Sequence, residues 1–314
     1  MLTYAIRRIL YSIPVLLIAS FLLFVFVRAT FDPTAKLAQS RDPGLIQREK
    51  TRLGLDDPVI VQYGRWLGHA VQGDLGHSEQ TREDVTATLS RAMGNTVQLI
   101  VIGAVVSALL ALGIGVFSAV RQYSVLDYMF TGLSYIGIAM PPFWFGLLAI
   151  EFFAVQHDWL LSVGLHTGDS HSFDWDYIRH LPLPIATLCV QIVASWSRYE
   201  RASMLDAMNA DYVRTARAKG VPRRKVILKH ALRNALIPFV TVVALDFGAL
   251  FGGLIITEQI FSIGGMGRTF LTAILQGDVY VLEAWMIVVA TIIILFNLVA
   301  DLLYGVLDPR IRLS

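Results

Sequence analysis

Charge is absent from long stretches of this chain. The runs 9–27, 96–120 and 129–150 contain no charged residue, and 181–197 is a shorter run of the same kind. Two more are apolar with one qualification each: 235–257 holds a single acid, Asp246, and 284–300 lies between Glu283 and Asp301. A bilayer core about 30 Å thick takes roughly 20 apolar residues of helix. The pattern therefore predicts six transmembrane helices, the fourth and sixth extended by their flanks. The number of such runs, six in one chain, argues against buried core helices of a water-soluble protein. The first run is too long for a cleaved signal, and "RATFDPT" after it has no small-x-small cleavage site, so it reads as an uncleaved anchor.

Composition agrees. Mean hydropathy is +0.59, and 16% of residues are charged against about a quarter in soluble domains. Net charge is +2 and Cys189 is the single cysteine, so no internal disulfide can form. The charge is segregated. Segments 1–8, 121–128, 198–234 and 304–314 hold 15 Lys and Arg and five acids; 28–95, 156–180 and 258–280 hold 11 and 15. The basic set predicts the cytoplasmic side, with both termini on it.

The densest positive block is "YVRTARAKGVPRRKVILKHALRNALIP", 212–238. Asp211 before it is a candidate helix cap, Lys219 and Gly220 close the first helical run, and Pro222 opens the next. In that second helix Leu228, Ala231, Leu232, Ala235 and Leu236 share one face, and Lys225, Lys229 and Arg233 share another. Helix, glycine break, helix, lying on a membrane, is either an amphipathic connector held by anionic lipid or a docking element for a protein. Nucleic acid is a poor partner, because no aromatics interleave with the charges.

"TARAKGVPRRKVILKHALRNALIP" resembles the cytoplasmic loop of ATP-binding-cassette importer permeases, with Arg214-Thr215-Ala216 where that family carries Glu-Ala-Ala, Gly220 as its glycine and Leu236-Ile237-Pro238 as its exit. "RLGLDDPVIVQYGRWLGHAVQGDLGHS", "IAMPPFWFGLLAI", "EQIFSIGGMGR" and "LLYGVLDPRIR" are similar to the B-type permease of dipeptide and oligopeptide importers, although Gly264-Gly265 stands where Pro-Gly is commoner. The resemblance implies an all-α, six-helix type I importer permease with a coupling helix in its cytoplasmic loop. It implies one anchor helix (1–28), an outward loop or small helical subdomain (29–95) and a permease core (96–314) with its coupling loop at 198–237. It implies that Tyr212, Arg214, Thr215, Ala216, Arg217, Ala218, Lys219 and Gly220 engage an ATPase. The implied partners are a second, similar permease forming a heterodimer, two ATP-binding subunits, an external substrate-binding protein and membrane lipid.

The chain itself has no phosphate-cradling G-x-x-x-x-G-K-[ST]; "GGMGRTF" lacks the lysine and the spacing. ATP and Mg²⁺ would then belong to partner subunits, with no cofactor, metal or catalytic residue expected here. For a translocation path or gate the candidates are Met140, Pro141, Phe143, Asp246, Glu258, Gly264, Gly265 and Gly267. Pro141-Pro142 interrupts the third span, which serves either a pore lining or a packing kink. Asp246 is the one acid well inside a span, suited to contact a cargo's amino terminus or to pair with another helix. Glu283 and Asp301 read as interfacial, Gly248 and Gly252 as a close-packing pair. The segment 258–268 reads as a turn re-entering the membrane edge, a gate by resemblance. His166, Asp169, His171, Asp174 and Asp176 have irregular spacing for a metal and read as a solvated loop. Nickel or glutathione importers of the same architecture, an ion-coupled secondary transporter and a lipid-binding scaffold are the alternatives to peptide import.

Overall fold

A computed structural model describes residues 2–32, 34, 43–52, 54–168 and 174–307. Among these there is no strand; apart from one isolated bridge, His77 to Asp84, the regular structure is helical. α1 (Leu2–Thr30) is followed by two short helices, α2 (Pro43–Arg52) and α3 (Val59–Val71). α4 (Val85–Val120) begins eleven residues before the apolar run does. The Asp84 carboxylate caps it, accepting from the Thr86 and Ala87 N–H groups, so the polar segment 85–95 is already helical and the division expected at 95/96 falls inside one element.

The third expected span is two helices. α5 (Val125–Ala139) and α6 (Pro142–Ala149, continued to Gln156 in wider π-type turns) meet at 101°. Two successive prolines cannot donate, and Met140 is held extended before them. After a short α7 (Trp175–His180), α8 (Pro182–Asn209) runs 28 residues with Pro182 in its first turn. α9 (Asp211–Ala218) is the short helix of the basic block. α10 (Arg223–Lys225) passes through a π-type turn, Val226–Ala231, into α11 (Leu232–Gly253). α12 (Ile255–Ile260), α13 (Met266–Gln276) and α14 (Val279–Leu307) complete the chain.

Four helices among the described residues are long and apolar enough to cross a bilayer, or five with the bent pair counted as one span. The expected count of six is thus not reproduced exactly. α8 is long enough but carries Arg198, Glu200 and Arg201 in its second half.

Packing gives the bundle two ends. At one, Val27, Val85, Leu89, Met266, Val279 and Leu282 form a buried cluster. At the other, Ala119, Met204, Ala207, Val213, Ala216, Val226 and Ala231 form another, under the basic block. α4 reaches both. It packs on α8 through Gly103, Ser107, Ala111, Gly115 and Ala119, a stripe of small residues four apart that lets the two backbones approach. A Cβ on Gly115 would lie 2.7 Å from Glu200 Cβ and 2.8 Å from the Ser197 carbonyl oxygen. Gly248 meets Phe296 and Ile293 of α14, so that glycine packs within this chain.

Candidate coupling and translocation site

The basic block is built on a platform. α8 ends at Asn209, and Ala210 turns the chain with ψ 150°. α9 follows, two turns long. Val213 and Ala216 are buried in the platform cluster, three apart on one face. Tyr212, Arg214, Thr215, Arg217, Ala218 and Lys219 are exposed on the rest of the surface. Asp211 does not cap this helix as expected: Ala210 occupies the cap position. The Asp211 carboxylate lies in the first turn, where it favours the helix dipole and accepts from Arg214 at 3.4 Å.

The stop is made by Gly220, at φ +70°. Its N–H donates to the Arg217 carbonyl (3.0 Å), and the Val221 N–H donates to the Ala216 carbonyl (3.2 Å). These two bonds define the Schellman termination, which needs a left-handed residue at that position. Pro222 then caps the next helix. There the π-type turn alters the expected face: Val226, Ala231 and Ala235 are buried, spaced five and then four, while Leu228 is exposed. One extra residue per turn rotates everything before it out of the simple three-and-four register. A cavity of about 410 Å³ opens beside the glycine, lined by Met208, Arg217, Val221, Arg223, Val226 and Ile227.

At the opposite end the candidates Glu258, Gly264, Gly265 and Gly267 come together. Glu258 is fully buried; its carboxylate accepts from Thr96 Oγ1 of α4 (2.6 Å) and from the Arg268 N–H (3.0 Å). Thr96 Oγ1 in turn accepts from the Met266 N–H, and Asn95 Nδ2 donates to the Gly264 carbonyl. The segment 258–268 is thereby folded around one carboxylate and fastened to α4. A Cβ on Gly265 would lie 2.3 Å from Glu258 Cδ, and one on Gly267 would lie 2.5 Å from Ile255 Cα. These two glycines are required by space and not by backbone angle.

Met140, Pro141 and Phe143 are not part of that cluster. They form the α5–α6 corner, where the Pro141 carbonyl accepts from the Trp144 and Phe145 N–H groups and Gln191 of α8 donates to the Met140 carbonyl at 3.4 Å. Asp246 of α11 is exposed on the bundle surface and accepts from Trp196 Nε1 of α8 at 2.7 Å. Gln191 and Trp196 are five residues apart, about 7–8 Å along α8, so corner and carboxylate lie at nearby depths.

Asp246 remains the one acid well inside an apolar run, but three acids beside such runs are buried. Glu200 is fully buried against Gly115, and neither carboxylate oxygen has a partner among the described residues. Glu283, expected at the interface, is buried and receives Arg28 in a two-pronged pair at 2.6 and 3.3 Å. Asp127 is buried and takes Arg201 at 2.9 Å on both oxygens. Each of these acids sits at the edge of an apolar run, where hydropathy alone cannot distinguish a buried carboxylate from an interfacial one.

Of the polar loop before α8, His166, Asp174 and Asp176 place ligand atoms within 4.8 Å of one another; Asp169 and His171 lie outside the described residues. Both carboxylates are already engaged: Asp174 caps α7, and Asp176 accepts from the Thr167 N–H and hydroxyl, which hold its carboxyl below the usual carboxylate range.

Comparison with known proteins covers the whole chain. Residues 111–313 match the family described as binding-protein-dependent transport system inner membrane component, and residues 1–100 match the corresponding N-terminal family. The chain is 39% identical to the oligopeptide transport system permease protein AppB of Bacillus subtilis (strain 168), over 99% of this chain and 100% of that one. It is 37% identical to the dipeptide transport system permease protein DppB of Alkalihalophilus pseudofirmus, over 99% and 100%. It is 37% identical to the glutathione transport system permease protein GsiC of Escherichia coli (strain K12), over 99% of each.

Proposed function

The chain belongs to the family of binding-protein-dependent transport system inner membrane components, and from that premise we propose that it carries di- and oligopeptides inward, driven by ATPase subunits that engage α9. The observation that carries the coupling assignment is α9 itself. Its apolar side is sunk in its own platform, its basic side is exposed, and Gly220 ends it sharply. A helix held this way transmits a push to α4, α8 and α11, because the platform under it is made from their ends. The cargo assignment rests on the names of the oligopeptide and dipeptide relatives. Glutathione is the second reading, supported by a relative of nearly equal identity.

In this reading both termini and the basic loop face the cytoplasm, and 28–95 faces outward. A second, similar permease completes the path, two cytoplasmic subunits bind ATP and Mg²⁺, and an external protein delivers the cargo. The 258–268 segment, tied by Glu258 to α4, serves as the outward gate, and the α5–α6 corner with Asp246 marks the depth where cargo passes. This chain performs no covalent chemistry.

Reconstitution of the assembled transporter in proteoliposomes tests this. Uptake of labelled dipeptide should require ATP, and glutathione should compete poorly. Arg217→Glu should weaken ATPase retention, more at low salt than at high salt, since exposed charge pairs are screened. Uptake driven by an ion gradient without ATP overturns the reading; uptake of glutathione alone replaces the cargo.

A further inference from the structure

α8 has two unlike faces. One is buried against α4 through Cys189, Trp196 and Glu200. The other carries Gln191 and Arg198, seven residues apart and so in line over two turns, about 10 Å. Gln191 marks one end of that line, where it donates to the Met140 carbonyl of the α5–α6 corner. Arg198 marks the end nearer the platform. It is exposed, and its guanidinium lies over the Tyr135 ring of α5, 4.8 Å from the centroid.

This cation does not sit at a membrane surface. Tyr135 lies six residues inside the charge-free run 129–150. Ser197, the residue before Arg198, packs on Gly115, five residues short of the end of the run 96–120. α8 continues for eleven residues beyond Arg198 to Asn209, about 16 Å. Side chains lean towards the N-terminus of their helix, which for α8 is the end away from the platform, so Arg198 leans further into the span. Nor is its charge neutralised. Asp127 takes Arg201 on both oxygens, Asp246 accepts from Trp196, and Glu200 is buried on the opposite face. Among the described residues Arg198 has neither an ion pair nor a hydrogen bond.

A charged side chain at such depth is costly, and residues of this kind line water-filled paths or meet a charge of opposite sign. Phosphate headgroups lie outside the charge-free runs, so the anion that reaches Arg198 is one that crosses. A guanidinium fork matches a carboxylate with two parallel hydrogen bonds. A peptide on this path carries one carboxylate whatever its sequence, at its C-terminus. We propose that Arg198, steadied by Tyr135, receives the C-terminal carboxylate of the cargo two turns from the α5–α6 corner, on the platform side. This rests on the reading of the chain as a peptide permease.

Nanodiscs holding the assembled permeases and ATPase subunits, with the binding protein omitted, test it. A labelled dipeptide is bound at equilibrium and competed by the same unlabelled dipeptide or by its C-terminal amide. The wild-type complex should favour the free acid roughly tenfold, the size expected for one hydrogen bond to a charged group. Arg198→Gln should bind acid and amide alike, and Arg198→Lys, which keeps the charge without the fork, should fall between. A merely structural role would weaken acid and amide together and keep their ratio. A role towards lipid phosphate would lower the melting temperature of Arg198→Gln in phosphatidylglycerol discs, again with the ratio kept. Either result overturns the proposal, as does wild-type binding that is undetectable or indifferent to amidation. Uptake measured with the binding protein restored checks the underlying reading separately. ATP-driven dipeptide uptake alongside an unchanged acid-to-amide ratio in Arg198→Gln removes this proposal alone; absence of ATP-driven uptake removes the reading beneath it.

Discussion

Gly220 and Gly115 show two different reasons for a glycine. Gly220 sits at φ +70° with nothing within 4 Å of where a Cβ would stand. A side chain there meets no clash, only backbone strain of about 1 kcal/mol or more. Gly220→Val should therefore insert normally yet lose substrate-stimulated ATP hydrolysis, and Gly220→Asn, which tolerates the left-handed region, should recover most of it. Equal hydrolysis by all three forms would separate the termination of α9 from coupling. Gly115 is the opposite case: its backbone is plain helix, but a methyl group would press on α8. Gly115→Ala should cost about 1–3 kcal/mol as overpacking, visible as a lower melting temperature in detergent. Asp246 gives a third residue-scale test. Asp246→Asn keeps an acceptor for Trp196 Nε1 and should leave stability and ATP dependence unchanged. Asp246→Ala strands the indole N–H of a buried tryptophan and should cost about 1–3 kcal/mol.

Among elements, a two-pronged ion pair ties α5 to α8 near the platform. The Asp127–Arg201 pair lies nine residues above Ala210, where the chain turns into α9. Removing Arg201 leaves Asp127 buried without its cation, so Arg201→Ala should destabilise the fold by about 3 kcal/mol or more. The double change with Asp127→Asn should restore much of it, measured as melting temperature and yield of the intact complex. This level is also where the sequence was least legible. The 103–119 stripe of small residues is the main helix contact of the molecule, yet in an apolar run it looks like any other span. The 101° corner could be anticipated from Pro141-Pro142 as a break, but its angle depends on what α6 packs against, Thr187 of α8 and Phe261 beyond α12. The start of α4 was missed because hydropathy marks where a helix becomes oily, whereas Asp84 marks where it begins. Conversely, the order Lys219, Gly220, Pro222 foretold the termination of α9, because glycine and proline chemistry is local. The π-type turn at Val226–Ala231 has no such local signature, and it is why Leu228 faces outward.

For the whole molecule, segregated charge carries the topology. Single cysteines at Gln72 and Arg224, in a Cys189→Ser background, should react differently with an impermeant thiol reagent on intact cells: labelling at 72 and none at 224. The reverse pattern would turn the molecule over. Both positions are exposed, and the native cysteine is buried between α4 and α8, so its replacement should not disturb the test. The family assignment was legible because its signatures are spread over the length of the chain. The buried acids were not, because burial is a property of neighbours that only the folded bundle supplies.

The Gly115 contact has a mechanical consequence. α4 is about 54 Å long, and the tighter of its two glycine contacts with α8, at Gly115, lies only five residues from its basic end but thirty from its other end. If α4 tilts as a rod about that contact, it is a lever with unequal arms, about 7 Å against about 45 Å. A displacement of about 1 Å under α9 then becomes about 4 Å at Thr96, where the Glu258 segment is fastened, and about 6 Å at Val85. Spin labels at Ser90 and Arg223, read for distance with and without a trapped nucleotide state of the ATPase, should show the larger excursion at Ser90. Equal excursions at both labels would mean that α4 slides and does not pivot.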